Sequence, residues 1–267
     1  MVVLAAAVGL GMTACAGEPG RADAAPAAVA LPPPGAAFDY QLGGAYAPPE
    51  GVKVVVRDST AAPAPGTYSV CYVNGFQTQP GAVWPRDLVL HDGSGVAVVD
   101  PGWPAEKILD ISTAAKRAAI ADRHTEVVKK CRAAGYQAVE FDNLDSYRRS
   151  QGRLDLEDAV AMAGLLVQRA HAQGLAAAQK NTAELGTRGR DQIGFDFAVT
   201  EECDLHDECS EFAEVYGRRV LNIEYAHDLR GSATEVCDRS AGTPETTIVR
   251  DLRLVTAGAP GYTYRRC

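Results

Sequence analysis

The sequence predicts an α/β fold: a single (β/α)8 barrel of the TIM type, stapled by disulfides and occupying residues 36–267. Three observations carry this reading. From Phe38 onward, β-branched runs alternate with stretches of helical periodicity, the pattern of parallel strands joined by helical crossovers. The length of 267 residues accommodates about eight such units. The strand candidates also end repeatedly in polar or charged residues: Asp58, Asn74, Asp142 with Asn143, Lys180 with Asn181, Glu201 with Glu202, and Glu224 with Tyr225. In a barrel such ends converge on one face. The rival architecture, an open doubly wound sheet, lacks its marker, because no Gly-rich phosphate loop follows any strand candidate.

The N-terminus is read as leader rather than fold. Residues 1–14 are an apolar run too short to cross a bilayer comfortably, and Met12-Thr13-Ala14-Cys15 has the form of a lipobox. Residues 1–14 are therefore expected to be a lipoprotein-type signal peptide, with Cys15 lipidated; ordinary secretion is the alternative. Residues 15–35 are Ala- and Pro-rich and are expected to form a tether, having too little apolar bulk to offset the entropy of ordering. Seven cysteines less Cys15 leave Cys71, Cys131, Cys203, Cys209, Cys237 and Cys267. An even number in an exported chain reads as three disulfides, whose pairing spacing alone leaves open. A zinc site from Cys203, His206 and Cys209 matches no common zinc spacing, and no metal or other cofactor is expected.

Within the domain, residues 52–58 (VKVVVRD) and 67–74 (TYSVCYVN) read as strands, and a helix capped by Ser112 runs to about Ala134. Residues 137–143 (QAVEFDN) read as a strand, and residues 155–173 as a helix stopped by Gly174. Strands at 175–181 and 195–202, a helix at 208–216, and strands at 219–225 and 248–255 complete the series. The formal net charge of -8 argues against nucleic acid as a partner and suits a cationic ligand better.

Two carboxylates on facing strand ends are the minimum equipment for cutting a glycosidic bond: one protonates the leaving oxygen while the other attacks the anomeric carbon or activates water. In residues 138–143, Val139 and Phe141 suit the helix-facing parity, which turns Ala138, Glu140 and Asp142 into the barrel, with Asp142 at the rim. Glu140, one layer deeper, needs a partner, and Lys180 is the candidate. The second carboxylate comes from Glu201 or Glu202. Treating Phe197 and Val199 as helix-facing turns Glu202 inward, whereas a bulge at the strand end would re-aim Glu201. The residues alone leave this pair undecided.

Glu140-Phe-Asp-Asn-Leu-Asp-Ser-Tyr147 resembles the E-P-D-N-V-D-G-Y signature of glycoside hydrolase family 114, the endo-α-1,4-polygalactosaminidases. Further similar segments follow in order: Phe38-Asp-Tyr-Gln-Leu42, Val70-Cys-Tyr-Val73, Trp103-Pro-Ala-Glu-Lys-Ile-Leu-Asp-Ile111, Ala170-His-Ala-Gln-Gly-Leu175, Gln179-Lys-Asn181, Phe195-Asp-Phe-Ala-Val199, Glu201-Glu-Cys203, Asp207-Glu-Cys209 and Glu224-Tyr225. The resemblance implies an endo-acting, retaining hydrolase of α-1,4-linked galactosamine polymer, with Asp142 as nucleophile and Glu201 as acid/base. It implies that Tyr40, Asp58, Tyr72, Asn143, Tyr147, Lys180, Glu224 and Tyr225 line the sugar subsites. It also implies the disulfides Cys71–Cys131, Cys203–Cys209 and Cys237–Cys267. The implied partner is a cationic amino-sugar polysaccharide; separately, the chain is expected to be a monomer that touches the membrane only through its lipid anchor. The chain departs from the family pattern after the second of its strand motifs, where residues 74–87 lack a glutamate and displace Trp84, and at Ile108, which stands for a tryptophan. These changes fall on rim loops, and the alternative they raise is a carbohydrate-binding barrel without turnover.

Overall fold

A computed structural model describes residues 1–3 and 29–267. Cys15, and all but the ends of the expected signal peptide and tether, lie outside the described residues. The strands, in chain order, are β1 (Phe38–Gln41), β2 (Val54–Asp58), β3 (Tyr68–Asn74), β4 (Ala138–Asp142), β5 (Ala176–Lys180), β6 (Phe197–Glu201), β7 (Val220–Tyr225), β8 (Thr246–Arg250) and β9 (Tyr264–Arg266). They form one sheet in sequential order, parallel from β1 through β8, with β9 antiparallel on β8. This is the expected TIM-like barrel, with one difference at its seam. Among the described residues no backbone ladder joins β8 to β1. Side chains close the gap instead: buried Arg250 ion-pairs Asp39 at 2.9 Å and donates to the Tyr40 carbonyl, and the Tyr264 hydroxyl donates to the Phe38 carbonyl.

The crossovers are less regular than the alternating pattern predicts. Helix α1 (Ala114–Ala134) joins β3 to β4, and α2 (Leu156–Ala172) joins β4 to β5. The short α3 (Cys203–His206) and α4 (Cys209–Tyr216) join β6 to β7, and α5 (Ala233–Ser240) joins β7 to β8. No α-helix joins β1 to β2 or β2 to β3. Those connections carry Pro48 and Pro49, and Pro63, Pro65 and Gly66, so they are too short and too interrupted to hold a helical ladder. The outer face left bare there is covered by a small cluster of Val52, Val55 and Ala64 under Tyr264.

The long helices begin and end for local reasons. Thr113, one residue after the expected cap, accepts from the Lys116 N–H at the start of α1, and Gly135 ends the helix at φ 103°. Asp155 and Asp158 form a reciprocal capping box at the start of α2. Strand β1, helix α5 and strand β9 carry too little periodicity to be expected from the chain. The predicted last strand starts two residues earlier than expected and stops at Arg250.

Two apolar layers hold the barrel. The inner one includes Phe38, Val56, Val70, Ala178, Phe197, Val199 and Ile223; the outer one packs Val139, Phe141, Leu166 and Ala198 against the helices. The three disulfides pair as the resemblance implies: Cys71–Cys131 ties β3 to α1, Cys203–Cys209 ties α3 to α4, and Cys237–Cys267 ties α5 to the C-terminus. The Cys203 and Cys209 sulfurs are therefore bonded to each other. Within the expected tether, Val29 packs on the inner apolar layer and Pro32 is buried. The Tyr68 hydroxyl donates to the Ala30 carbonyl and the Gly35 N–H to the Arg218 carbonyl, at the barrel end opposite the polar strand termini.

Candidate active site

Strand alternation delivers the site. On β4, Val139 and Phe141 pack outward, so Glu140 and Asp142 point into the barrel, as expected. On β5 the same alternation turns Lys180 inward, fully buried beneath the rim. On β6 the expected parity is reversed. Phe197 and Val199 belong to the inner layer and Ala198 to the outer one, so Glu201 faces inward with unbroken alternation and no bulge. The helix-facing assumption failed because the barrel interior below the rim is itself apolar. Glu202, at φ 60°, turns away from this cluster and is partly exposed.

One ammonium organises the carboxylates. The Lys180 Nζ lies 3.2 Å from Glu140 Oε1, from Asp142 Oδ1 and from Glu201 Oε2. Its side chain is 1% exposed, whereas those of Asp142 and Glu201 are 18% and 26% exposed, so the two rim carboxylates meet solvent while the charge holding them does not. Tyrosines complete the arrangement. The Tyr72 hydroxyl donates to Asp142 Oδ2 at 2.6 Å, the Tyr40 hydroxyl to Glu140 Oε1 at 2.7 Å, and the Tyr225 hydroxyl to Glu201 Oε1. Asn181 positions Glu201 from the next strand end, accepting its backbone N–H at 2.7 Å.

These contacts set the protonation states. Burial pushes the Asp142 carboxyl up, but the Lys180 ammonium, the Tyr72 hydroxyl and the Asn143 N–H outweigh it and hold the group below its ordinary range. Burial raises the hydroxyls of Tyr40, Tyr72 and Tyr225 well above their ordinary values, helped by the adjacent carboxylates, so they remain donors. Burial likewise lifts Glu140 to about 7, with Asp142 and Glu201 pushing the same way and Lys180 opposing.

The raised Glu140 carboxyl has a measurable consequence. Between its ordinary 4.5 and about 7, the folded protein holds a proton on Glu140 that the unfolded chain has released. This contribution to stability is therefore present at acid pH and declines as pH rises through that window. Glu140→Gln removes the titration while leaving an acceptor for Tyr40 and Lys180. Urea unfolding from pH 4.5 to 7.5 is expected to show a downward slope in the wild type relative to Glu140→Gln. Parallel curves would contradict it.

The remaining expected residues divide. Asp58 stands at the rim, its oxygens taken by Thr60 and by Gln79 at 3.0 Å. Asn143, at φ 65°, bonds Asn74 and Arg149 beside Asp142. Tyr147 lies farther out and bonds Glu184 rather than the Lys180 cluster. Glu224 corrects the expectation of a subsite residue. It shares the outward parity of Asn222, is fully buried, and accepts from the Asn222 amide and the Asp204 N–H at the start of α3. These contacts tie it to the start of α3 and not to the Lys180 cluster. Two residues to which the sequence reading gave no role enter the site. Asn74 is the ladder partner of Asp142, and its amide donates to Glu106 Oε2 at 2.7 Å. Glu106 comes from the excursion between β3 and α1, whose antiparallel bridges, among them Gln77 to Ile108, carry it over the rim. Only the tertiary path of that excursion brings it there.

A parallel barrel with two solvent-facing carboxylates on inward strand ends, held by a buried ammonium, has the form of a glycoside hydrolase site. The sequence model of glycoside-hydrolase family GH114 matches residues 19–267, and the chain belongs to that family. It is a glycoside hydrolase. Among solved structures, it is similar to Ega3 of Aspergillus fumigatus, determined as a complex with galactosamine, at 21% identity and TM-score 0.70, covering 90% of this chain and 98% of that one. The glycoside hydrolase domain of PelA from Pseudomonas aeruginosa is similar at 16% identity and TM-score 0.55, covering 85% and 98%. These likenesses show the shared fold. No curated protein matches the chain.

Proposed function

We propose that the protein is an exported, endo-acting hydrolase of α-1,4-linked galactosamine polymer that works with retention, Asp142 as nucleophile and Glu201 as acid/base. The observation that carries this reading is the common 3.2 Å contact of Asp142 Oδ1 and Glu201 Oε2 with one Lys180 Nζ. Those oxygens are separated by at most twice that distance. This admits the roughly 5–5.5 Å of retaining pairs.

The chemistry follows from the contacts. Ionised Asp142, its Oδ2 oriented by Tyr72, attacks the anomeric carbon as Glu201 gives a proton to the leaving oxygen. A covalent glycosyl ester forms on Asp142, and Glu201 then takes a proton from the water that releases it. Three carboxylates share one ammonium, which holds Glu201 facing Asp142 across the cleft. A hexosamine with a free amine is cationic near neutral pH and is attracted by this rim and by the net charge of -8. The galactosamine bound to the similar Ega3 supports the same sugar class here. Three disulfides suit an oxidising compartment, and no described helix is long and apolar enough to cross a membrane. A lipid on Cys15 would anchor a monomer at the cell surface.

A panel of purified polymers tests the reading. De-N-acetylated α-1,4-galactosamine polymer is expected to yield short oligosaccharides whose newly formed reducing ends appear first as the α-anomer by proton NMR. Product from a different polymer only, or β-anomer first, would overturn the substrate or the stereochemical assignment respectively.

A further inference from the structure

Most carboxylates around the rim are neutralised from within the protein. Glu140, Asp142 and Glu201 share Lys180, and Asp100 and Asp145 pair with Arg149. Glu106 differs. It is partly buried, and among the described residues it takes part in no ion pair. The one hydrogen bond its carboxylate receives there is from the neutral Asn74 amide to Oε2, which leaves Oε1 without a protein donor. Asn74 in turn is the ladder partner of Asp142 and accepts from Asn143, so Glu106 stands one side chain away from the proposed nucleophile. Burial raises its carboxyl, and Asp142 and Asp100 push the same way, more than Asn74 and the already paired Arg149 offset. A carboxylate in that setting gains from any cation that reaches Oε1. Asp58, another rim carboxylate without an ion pair among the described residues, has both oxygens occupied by Thr60 and Gln79.

We propose that Glu106 is the ammonium-binding residue of the cleft, its Oε1 accepting from the free primary amine of a hexosamine unit seated beside Asp142. The inference rests on the amino-sugar reading above and deepens it. It assigns discrimination between free and N-acetylated amines to one side chain, because an acetamide carries no charge and fewer N–H donors. It also gives the excursion between β3 and α1 a task, which is to bring a carboxylate to the rim from outside the strand ends.

The test compares binding of a de-N-acetylated galactosamine oligosaccharide with that of its re-N-acetylated counterpart by isothermal titration. Wild type, Glu106→Gln and Glu106→Asp would each be checked for an unchanged unfolding midpoint. The wild type is expected to favour the free amine, and Glu106→Gln to lose about tenfold to a hundredfold in affinity for it alone. Glu106→Asp is expected to keep part of the preference. Equal weakening toward both ligands would mean that Glu106 only positions Asn74, and an undiminished preference in Glu106→Gln would mean that another group reads the amine; either result overturns the proposal. All three are made in the Asp142→Asn background, so that no ligand is cleaved during the titration, and a protein that releases no product, which would count against the hydrolase reading, still reports on Glu106.

Discussion

Asp142→Asn is expected to lower release of oligosaccharides on the order of 10⁴-fold or more while the fold survives. The amide keeps the shape that Tyr72 and Lys180 contact but supplies no charge to form the glycosyl ester. Lys180 retains Glu140 and Glu201 as partners, so the ammonium is not stranded. Glu201→Gln is expected to lose about 10² to 10⁴-fold, the range for a single acid/base group. The two variants separate with a glycosyl fluoride, whose leaving group needs no proton. Glu201→Gln recovers the first step and accumulates the glycosyl-enzyme, detectable by intact mass, whereas Asp142→Asn forms none. An adduct in Asp142→Asn, or full turnover by either variant, would remove the assigned role.

Lys180→Met is expected to cost more stability than any other single change in the cleft, about 3–5 kcal/mol near neutral pH, because it leaves uncompensated charge at buried carboxylates. Burial lowers the Lys180 ammonium, but Asp142, Glu201, Tyr40 and Glu140 outweigh it and hold the group well above its ordinary value. The wild-type contribution of this group is therefore fully present below the unfolded value and constant between pH 5 and 8. The loss in the variant should shrink toward pH 5 as the freed carboxylates bind protons. Adding Glu140→Gln should restore part of it by removing one buried acid. Chemical denaturation at both ends of that range measures this. A destabilisation that is independent of pH would show that packing, rather than charge, is what Lys180 supplies.

Much of the site was legible because strand alternation is a property of the chain itself. Placing Val139 and Phe141 outward put Glu140 and Asp142 inward, and the need of a buried Glu140 for a partner pointed to Lys180. The same reasoning misdirected β6, where Phe197 and Val199 line the interior, so Glu201 faces the cleft without a bulge. The motif resemblance placed Glu224 among the subsites, although that residue shares the parity of Asn222 and braces α3.

Local periodicity and short motifs were enough for the parallel strand order, the polar rim, and the candidacy of Asp142, Glu201 and Lys180. Long-range packing was needed to establish which apolar face of β6 turns inward, how Arg250 closes the β8–β1 seam, and that Glu106 reaches Asn74 from a distant excursion. Periodicity identifies two faces of a strand, but the surrounding layers determine which face each becomes. Contacts between distant segments depend on the path of the whole chain.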